Sequence, residues 1–275
     1  DLNAIEACAR RSKRGAVIGG GLLGLEAAGA LKNLGVETHV IEFAPVLMAE
    51  QLDVQGGELL RRKIEEMGVQ VHTSKNTRQI VHHAAGGKTL EFADGSTLDV
   101  DFIVFSTGIR PQDKLAKQCG LALGQRGGIA VDDRCRTSDP AIYAIGECAA
   151  WQDRVFGLVA PGYKMAQVAS DALTGRDSLF QGADMSAKLK LLGVDVGGIG
   201  DARGRTPGAR SYVWLDESRS IYKRLVVSAD GKTLLGAVLV GDTSDYGNLL
   251  QLALNAIPLP ENPEGLILPA GSGEK

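Results

Sequence analysis

Cysteine is scarce in this sequence, and its four copies lie far apart. Cys8, Cys119, Cys135 and Cys148 form no CxxC pair and no cluster with histidine. Disulfide frameworks and cysteine-based metal sites need paired or clustered spacings, so neither is indicated. We therefore predict no metal site, with the four histidines solvated or packed rather than bound to a metal.

Long runs of positive charge and long apolar runs are also absent. The 30 Lys and Arg against 33 Asp and Glu give a net charge of −3, without the basic stripe of a nucleic-acid binder. No apolar stretch approaches the roughly 20 residues that span a bilayer, and residues 1–15 lack the apolar core of a signal peptide. The expected partners include neither nucleic acid nor membrane, and the expected location is the cytoplasm.

The remaining composition suits a folded chain of roughly two domains, with 275 residues and 44% hydrophobic content. Its clearest motif is GAVIGGGLLGLEAAGALKNLGVETHVIE at residues 15–42. A short apolar run ends in glycines, a helical run ends at Gly35, and a second apolar run follows. This order predicts a βαβ unit of the dinucleotide-binding type.

The glycines of this motif have the GxGxxG spacing, and each has a separate predicted role. Gly19 permits the tight turn, Gly21 lets the backbone approach a pyrophosphate, and Gly24 lets the helix pack closely on the strand. The pyrophosphate is expected on the amides of Leu22 and Leu23, at the positive end of the helix. The alternative is a glycine-rich turn without a ligand.

An acidic residue, Glu42, ends the second predicted strand. A carboxylate at this position accepts hydrogen bonds from the adenosine ribose and repels a 2′-phosphate. No arginine follows Glu42 in EFAPVLMAEQ, so we predict NADH rather than NADPH as the ligand.

The rest of the first domain predicts a helix in residues 51–68, a strand in VQVHT and a hairpin turned at Asp94-Gly95. DFIVFSTGIRP is a continuous apolar run, as expected of a parallel strand buried on both faces. Thr107 and Gly108 lie in the glycine turn that ends this stretch. Because open α/β sheets bind ligands at the carboxyl ends of their strands, these two residues are expected to face the nicotinamide.

Three sequence marks together resemble the pyridine-nucleotide flavoprotein reductases: GGGxxGxE, the hairpin insertion followed by STGIRP, and TSDPAIYAIGECA. The resemblance implies that the chain returns to an FAD domain at Gly146 and Glu147, although most members have Asp at the second position. Pro161, which opens the next helix, is implied to border the flavin. Glu26 is implied to lie near the nicotinamide, the alternative being a carboxylate favoured by the helix dipole. Trp151 and Tyr163 either cover the flavin or pack in the core.

The C-terminal half indicates a more specific group within these reductases. GADMSAKLKLLGVDVGGIGDARGRTPGARSY and LLGAVLVGDTSDYGNLLQLALN look like the large subunits of the sirohaem-containing NAD(P)H nitrite reductases. The residues alone predict only strand-like runs, a hairpin at Asp230-Gly231 and a helix over residues 244–255. The resemblance adds that this region is like the C-terminal domain of rubredoxin reductases, which packs against the flavin half and has no chemistry of its own.

The expected fold is α/β, a Rossmann-like domain with an antiparallel hairpin insertion, part of an FAD domain and a small α+β domain. The expected boundaries are 1–110 for the NAD-binding domain, 111–179 for the FAD segment and 180–275 for the C-terminal domain. In the enzymes resembled, electrons pass from NADH through FAD and iron-sulfur clusters to sirohaem, where nitrite becomes ammonium in nitrate assimilation. The first half of the FAD site, the clusters and the sirohaem are implied to belong to other parts of the polypeptide, which would be partners of this chain. The chain alone is expected not to reduce nitrite.

Two alternatives stay open at this point. Another NADH-dependent flavoprotein reductase, such as a rubredoxin reductase or an NADH oxidase, shares the same three marks. A non-catalytic module that binds NADH would share the glycine motif alone. A thioredoxin reductase is disfavoured, because those enzymes carry a CxxC in the NAD domain and this sequence has none.

Overall fold

A computed structural model describes residues 2–84 and 86–269 of the chain. The described residues form two compact units: one contains residues up to Thr107 and those from Ser186 to 269, and the other runs from Gly108 to Met185. The three-part division expected from the sequence remains a prediction.

The secondary structure of the described residues is mixed. The strands are β1 (Arg14–Ile18), β2 (Glu37–Ile41), β3 (Gln70–His72), β4 (Thr77–His82), β5 (Lys88–Phe92), β6 (Thr97–Val100), β7 (Phe102–Phe105), β8 (Ile129–Val131), β9 (Ala149–Trp151), β10 (Arg154–Val155), β11 (Ala187–Leu191), β12 (Val194–Gly200), β13 (Arg210–Asp216), β14 (Ile221–Val227) and β15 (Leu234–Val240). The helices are α1 (Leu2–Ala9), α2 (Leu22–Asn33), α3 (Val54–Glu66), α4 (Lys114–Gln118), α5 (Val159–Leu173) and α6 (Tyr246–Leu254), with 3₁₀ turns at Gly146–Cys148 and Pro263–Leu266. The predicted α/β class is confirmed.

A four-stranded parallel sheet in the order β3-β2-β1-β7 forms the centre of the first unit. Helix α2 connects β1 to β2, so the predicted βαβ unit is confirmed. Gly35 follows the helix with φ +82°, a conformation that glycine adopts without a Cβ penalty, and ends it where the sequence indicated.

Strand β7 differs from its prediction of burial on both faces. Phe102 is buried, whereas Phe105 keeps 64% of its surface exposed. Among the described residues, β7 is last in the sheet order and pairs with β1, and its carboxyl end is exposed.

The insertion after β3 is a three-stranded antiparallel sheet, β4-β5-β6. The β5–β6 hairpin turns at Asp94-Gly95 as predicted, with Gly95 at φ +82°. Strand β4 was not predicted, because TRQIVH has little apolar alternation. Leu90 and Phe92 of β5 bury their side chains against Ala16 and Ile41 of the parallel sheet.

The C-terminal part of the first unit is a five-stranded antiparallel sheet in the order β11-β12-β15-β14-β13. The β14–β15 hairpin turns at Asp230-Gly231, and α6 lies within residues 244–255, so both predictions are confirmed. Helix α6 packs on one face, with Leu249 fully buried.

The other face of this sheet shares a core with the nucleotide-binding half. Tyr222 and Val238 of the sheet join a cluster with Leu31 of α2 and with Leu60 and Ile64 of α3. In this unit the sheet lies on α2 and α3. The packing against a flavin half that the resemblance implied remains a prediction.

The second unit contains a small sheet in the order β10-β9-β8 and helix α5. Trp151 packs edge-on to Phe180 at 5.1 Å between ring centroids, and its Nε1 donates to Asp133 Oδ1 at 2.8 Å. Trp151 is therefore a core residue of this unit, while Tyr163 is 73% exposed. Throughout residues 2–84 and 86–269, no helix has the length and apolar character needed to cross a membrane.

Candidate functional site

The close approach of β1 and α2 excludes side chains at two glycines, one in the turn and one in the helix. Gly19 has φ +118°, and a Cβ there would lie 2.1 Å from the carbonyl oxygen of Ser106. A Cβ at Gly24 would lie 1.9 Å from the carbonyl oxygen of Gly19, so only glycine lets α2 begin this close to the strand. The predicted steric roles of Gly19 and Gly24 agree with this geometry.

Gly21 is in a different environment, because a Cβ at this position would meet no atom within 4 Å. The residue is the N-cap of α2, and no side chain caps the helix. The amides of Leu22 and Leu23 therefore begin the helix without an intrahelical partner, at the positive end of its dipole. Helix N-termini of this kind favour anionic groups, and the contact of these residues with a pyrophosphate remains a prediction.

Glu42 follows β2, and its carboxylate joins the glycine turn to the loop after β2. Its Oε2 accepts from the amide of Gly20 and its Oε1 accepts from the amide of Ala44, both at 2.6 Å. The sequence predicted only a ribose acceptor here. Because a carboxylate offers about four acceptor positions, the two internal bonds leave capacity for a ligand hydroxyl.

Gly20 was not singled out from the sequence, yet the loop after β2 packs directly on it. The amide of Met48 donates to the carbonyl of Gly20 at 3.0 Å, and a Cβ on Gly20 would lie 2.6 Å from Leu47 Cδ2. The middle glycine of GGG, which the GxGxxG pattern does not require, is the sequence signal that could have indicated this contact. The glycine turn, Glu42 and the post-β2 loop thus form one connected structure.

Ser106 and Thr107 leave β7 at the same sheet edge. The amide of Ser106 donates to the carbonyl of Ile18 at 2.8 Å, which places Thr107 close to the glycine turn with its side chain exposed. Gly108 has φ +98° and begins the second unit. Their contact with a nicotinamide remains a prediction.

Glu26 is exposed on α2. It borders a groove between this helix and the β11–β12 turn, together with Lys190 and Gly193. Its predicted position near the nicotinamide remains a prediction.

The predicted flavin residues lie in the second unit. Gly146 has φ +77° and opens a 3₁₀ turn in which Glu147 is exposed. Pro161 is buried in the first turn of α5, and a Cβ on Gly162 would lie 3.3 Å from Gly146 Cα. The structure therefore brings Gly146, Glu147 and the start of α5 together, as the resemblance implied, while their role toward flavin remains a prediction.

Two histidines, the buried His39 and the half-buried His72, pair next to the strand ends at the candidate site. His39 Nδ1 of β2 and His72 Nε2 of β3 are 3.0 Å apart, and their rings stack with centroids 5.3 Å apart. Burial lowers the pKa of both imidazoles, although Glu37 opposes this effect at His39. The carbonyl of His72 accepts from the amide of Glu42 at 2.8 Å, so the pair supports the strand ends at the site.

Asp53 ends the post-β2 loop and joins it to the C-terminal sheet. Its Oδ1 accepts from the amide of Gly56 and caps α3, while its Oδ2 accepts from Tyr222 Oη and Arg224 Nη1 at 2.6 and 3.0 Å. Burial, followed by the hydrogen bond to Asp53, raises the pKa of Tyr222 above its usual range. The C-terminal sheet thereby fixes one end of the loop whose other end contacts Gly20.

The cysteines and the possible metal ligands are the other candidate reactive groups in the sequence. The four cysteines are free, and burial raises the pKa of the Cys135 thiol to about 11. Within the part of the chain that the structure describes, no three His, Cys, Asp or Glu residues are arranged to hold a metal ion.

Comparison with known proteins gives two family matches. A family model described as pyridine nucleotide-disulphide oxidoreductase matches residues 2–172. One described as the rubredoxin NAD+ reductase C-terminal domain matches residues 186–256.

Individual relatives match along nearly all of the chain. The nitrite reductase (NADH) large subunit of Escherichia coli (strain K12) is 78% identical over 274 residues, 99% of this chain and 32% of that protein. The NAD(P)H nitrite reductase large subunit of Klebsiella oxytoca is 60% identical over 275 residues, 100% of this chain and 29% of that protein. The chain thus spans about a third of the length of these curated relatives.

Among solved structures, an NAD-dependent persulfide reductase from A. fulgidus matches with a TM-score of 0.79 at 28% identity, covering 93% of this chain and 51% of that one. The structural match and the family model both include the βαβ unit with its glycine turn. The family model covers more than half of the chain. The chain belongs to the pyridine nucleotide-disulphide oxidoreductase family.

Proposed function

We propose that this chain supplies the NADH-binding region, and part of the FAD-binding region, of an NADH-dependent nitrite reductase. The observation that carries the nitrite assignment is the 78% identity, along 99% of the chain, to a nitrite reductase (NADH) large subunit. The nucleotide assignment is supported by the open, uncapped helix start at Gly21.

The chain's own residues bind and orient the dinucleotide. The amides of Leu22 and Leu23 donate to its pyrophosphate, and the missing side chain of Gly21 lets the two backbones approach. Glu42 accepts from the adenosine ribose while it holds Gly20 and Ala44 in place. A carboxylate at this position disfavours the 2′-phosphate of NADPH, so NADH is the proposed donor.

The nicotinamide end of the dinucleotide is directed along the sheet edge toward Thr107 and Gly108, with Glu26 nearby. Bound NADH supplies a hydride, and the cofactors carry that chemistry while the protein orients them.

The second unit contributes one side of a flavin site. Glu147 is exposed in its turn beside the start of α5, so its carboxylate is free to accept from a flavin ribityl hydroxyl. Gly146 and Pro161 border that position. The remaining FAD contacts, the iron-sulfur clusters and sirohaem are proposed to come from other regions of the polypeptide, and the protein is proposed to be cytoplasmic.

A chimera tests this function. The segment of the Escherichia coli large subunit that aligns with this chain is replaced by it, and nitrite reduction is measured with NADH and with a chemical reductant. We expect nitrite reduction with both donors. Activity with the chemical reductant but none with NADH would contradict the proposed donor role.

The same chimera separates the alternatives. A rubredoxin reductase or NADH oxidase segment would oxidise NADH without coupling it to nitrite, and a non-catalytic module would bind NADH without oxidising it. The Glu42→Ala chimera serves as the matched control, because it alters the nucleotide site and leaves the other regions of the parent enzyme unchanged.

A further inference from the structure

Strand β13 forms one edge of the five-stranded antiparallel sheet. All of its residues, from Arg210 to Asp216, pair with β14 in continuous register, and within residues 2–84 and 86–269 no other strand pairs with it. One row of its backbone amides and carbonyls therefore faces away from the sheet. Such a row is a template on which another strand can pair.

The two edges of this sheet differ in charge. The opposite edge strand, β11, carries Lys188 and Lys190, and both are exposed. Lysines on an edge strand discourage pairing with another chain. Strand β13 has no charged residue and no proline between Arg210 and Asp216, and its register with β14 has no bulge. This edge therefore lacks the features that keep an edge strand unpaired.

Strand β13 also exposes two apolar side chains on one face. Val213 lies directly opposite Arg224, and Leu215 lies directly opposite Tyr222, so both are on the face of the sheet that packs on α3. They keep 51% and 44% of their surface exposed. The aromatic residues of the strand lie on the other face, where they pack on the α6 side. Apolar surface in solvent thus lies directly beside an unpaired strand edge.

The sequence of β13, RSYVWLD, is complementary to itself in the antiparallel orientation. Pairing about a twofold axis at Val213 sets Arg210 of one copy opposite Asp216 of the other, at both ends of the strand. Tyr212 then lies opposite Trp214, and the two Val213 residues meet at the axis. Oppositely charged pairs and aromatic pairs stabilise neighbouring strands. The edge therefore fits a second copy of the same chain, and a twofold pairing closes the interface.

We propose that the outer edge of β13 is a dimer interface, at which two copies of this chain join their C-terminal sheets into one continuous antiparallel sheet. Backbone hydrogen bonds across the axis hold the two strands together, and the two Arg210–Asp216 pairs fix the register. Val213 and Leu215 bury surface that is exposed in the single chain. The interface lies in the C-terminal sheet and does not depend on the nucleotide function proposed above.

Charge reversal tests the interface, with sedimentation velocity measured over a range of chain concentrations. The wild type should form a dimer. In Arg210→Glu alone, or in Asp216→Lys alone, like charges meet at both ends of the paired strands, so the dissociation constant should rise about 10- to 100-fold. An equimolar mixture of the two variants should restore the dimer, because each altered residue then faces an opposite charge in the other variant.

Lys190→Glu, a charge reversal on the opposite edge of the sheet, is the matched control and should leave the dimer unchanged. Asp216 also accepts from Ser218 Oγ and from the amide of Arg219 in the turn after β13, at 2.6 and 3.0 Å. A loss of dimer caused only by damage to that turn would not be restored by mixing. A monomeric wild type, a dimer that both reversals leave intact, or a mixture that stays monomeric would each overturn the interface.

Discussion

The hydroxyl of Tyr222 donates a 2.6 Å hydrogen bond to Oδ2 of Asp53, which lies 169 positions earlier in the chain. Asp53 also caps α3 and accepts from Arg224. Through this one carboxylate, the C-terminal sheet holds the loop that packs on the glycine turn.

Removing that carboxylate should destabilise the first unit. In Asp53→Ala the helix loses its cap, and Nη1 of the half-buried Arg224 and the buried Tyr222 hydroxyl lose their acceptor, while Arg224 keeps its bonds to Ser211. We expect the free energy of unfolding to fall by about 3 kcal/mol, as when one partner of a buried pair is removed. Urea unfolding measures the change.

Glu58→Ala on the same helix is the control, since Glu58 forms only a partly exposed ion pair with Arg61. It should cost less than about 1 kcal/mol. If Asp53→Ala lost no more than Glu58→Ala, Asp53 would not couple the loop to the sheet.

The His39–His72 pair should make stability depend on pH. Burial lowers both pKa values below the ordinary 6.5, so the unfolded chain takes up protons first as the pH falls. The contribution is complete above pH 6.5 and declines below it, by at most about 1.4 kcal/mol per pH unit for each histidine. Thermal unfolding between pH 8 and 5 should show this decline.

The variant His72→Gln should flatten that decline, whereas His82→Gln, at an exposed position, should leave it unchanged. A wild-type melting temperature that stays constant over this range would rule out the histidine pair as its source.

The ion pairs of Lys223 should stabilise the C-terminal sheet at neutral pH and lose this effect in acid. It is buried, and its Nζ lies 2.7 Å from Asp242 Oδ2 and 2.5 Å from Asp245 Oδ2. Burial tends to raise the pKa of Asp242, but hydrogen bonds from Lys223 and from the amide of Ser244 lower it to about 2. The stabilisation is present above pH 3.8, the ordinary value, and is lost as the pH falls through 2.

In Lys223→Met the two carboxylates lose their shared cation, so stability at neutral pH should fall by about 2 kcal/mol. The loss of stability between pH 4 and 2 should become shallower. Denaturant unfolding across this range tests both effects, with the exposed Lys232→Met as control. Identical acid profiles for Lys223→Met and wild type would contradict the ion-pair assignment.

The sequence could predict the features whose signals are local. The βαβ unit depends on the glycine spacing and on apolar runs within residues 15–42, and both Asp-Gly hairpins depend on neighbouring residues. The steric needs of Gly19 and Gly24 also follow from this short motif.

Contacts between distant segments could not be predicted in this way. The Asp53–Tyr222 bond depends on how the C-terminal sheet packs on α3, and the His39–His72 pair depends on the register of β2 and β3. The two internal hydrogen bonds of Glu42 depend on the path of the post-β2 loop, which apolar periodicity does not specify. The exposure of Phe105 is likewise not encoded in the continuous apolar run of β7.

The measurement that tests the central claim most directly is the calorimetric titration of NADH and NADPH into the wild-type chain and into Glu42→Ala. We predict that the wild type binds NADH more tightly. Glu42→Ala should weaken NADH about 10- to 150-fold, as expected when a hydrogen bond to a charged group is lost, and weaken NADPH less. Tighter binding of NADPH by the wild type, or an unchanged NADH to NADPH ratio in the variant, would contradict the assignment of Glu42 and of NADH to this site.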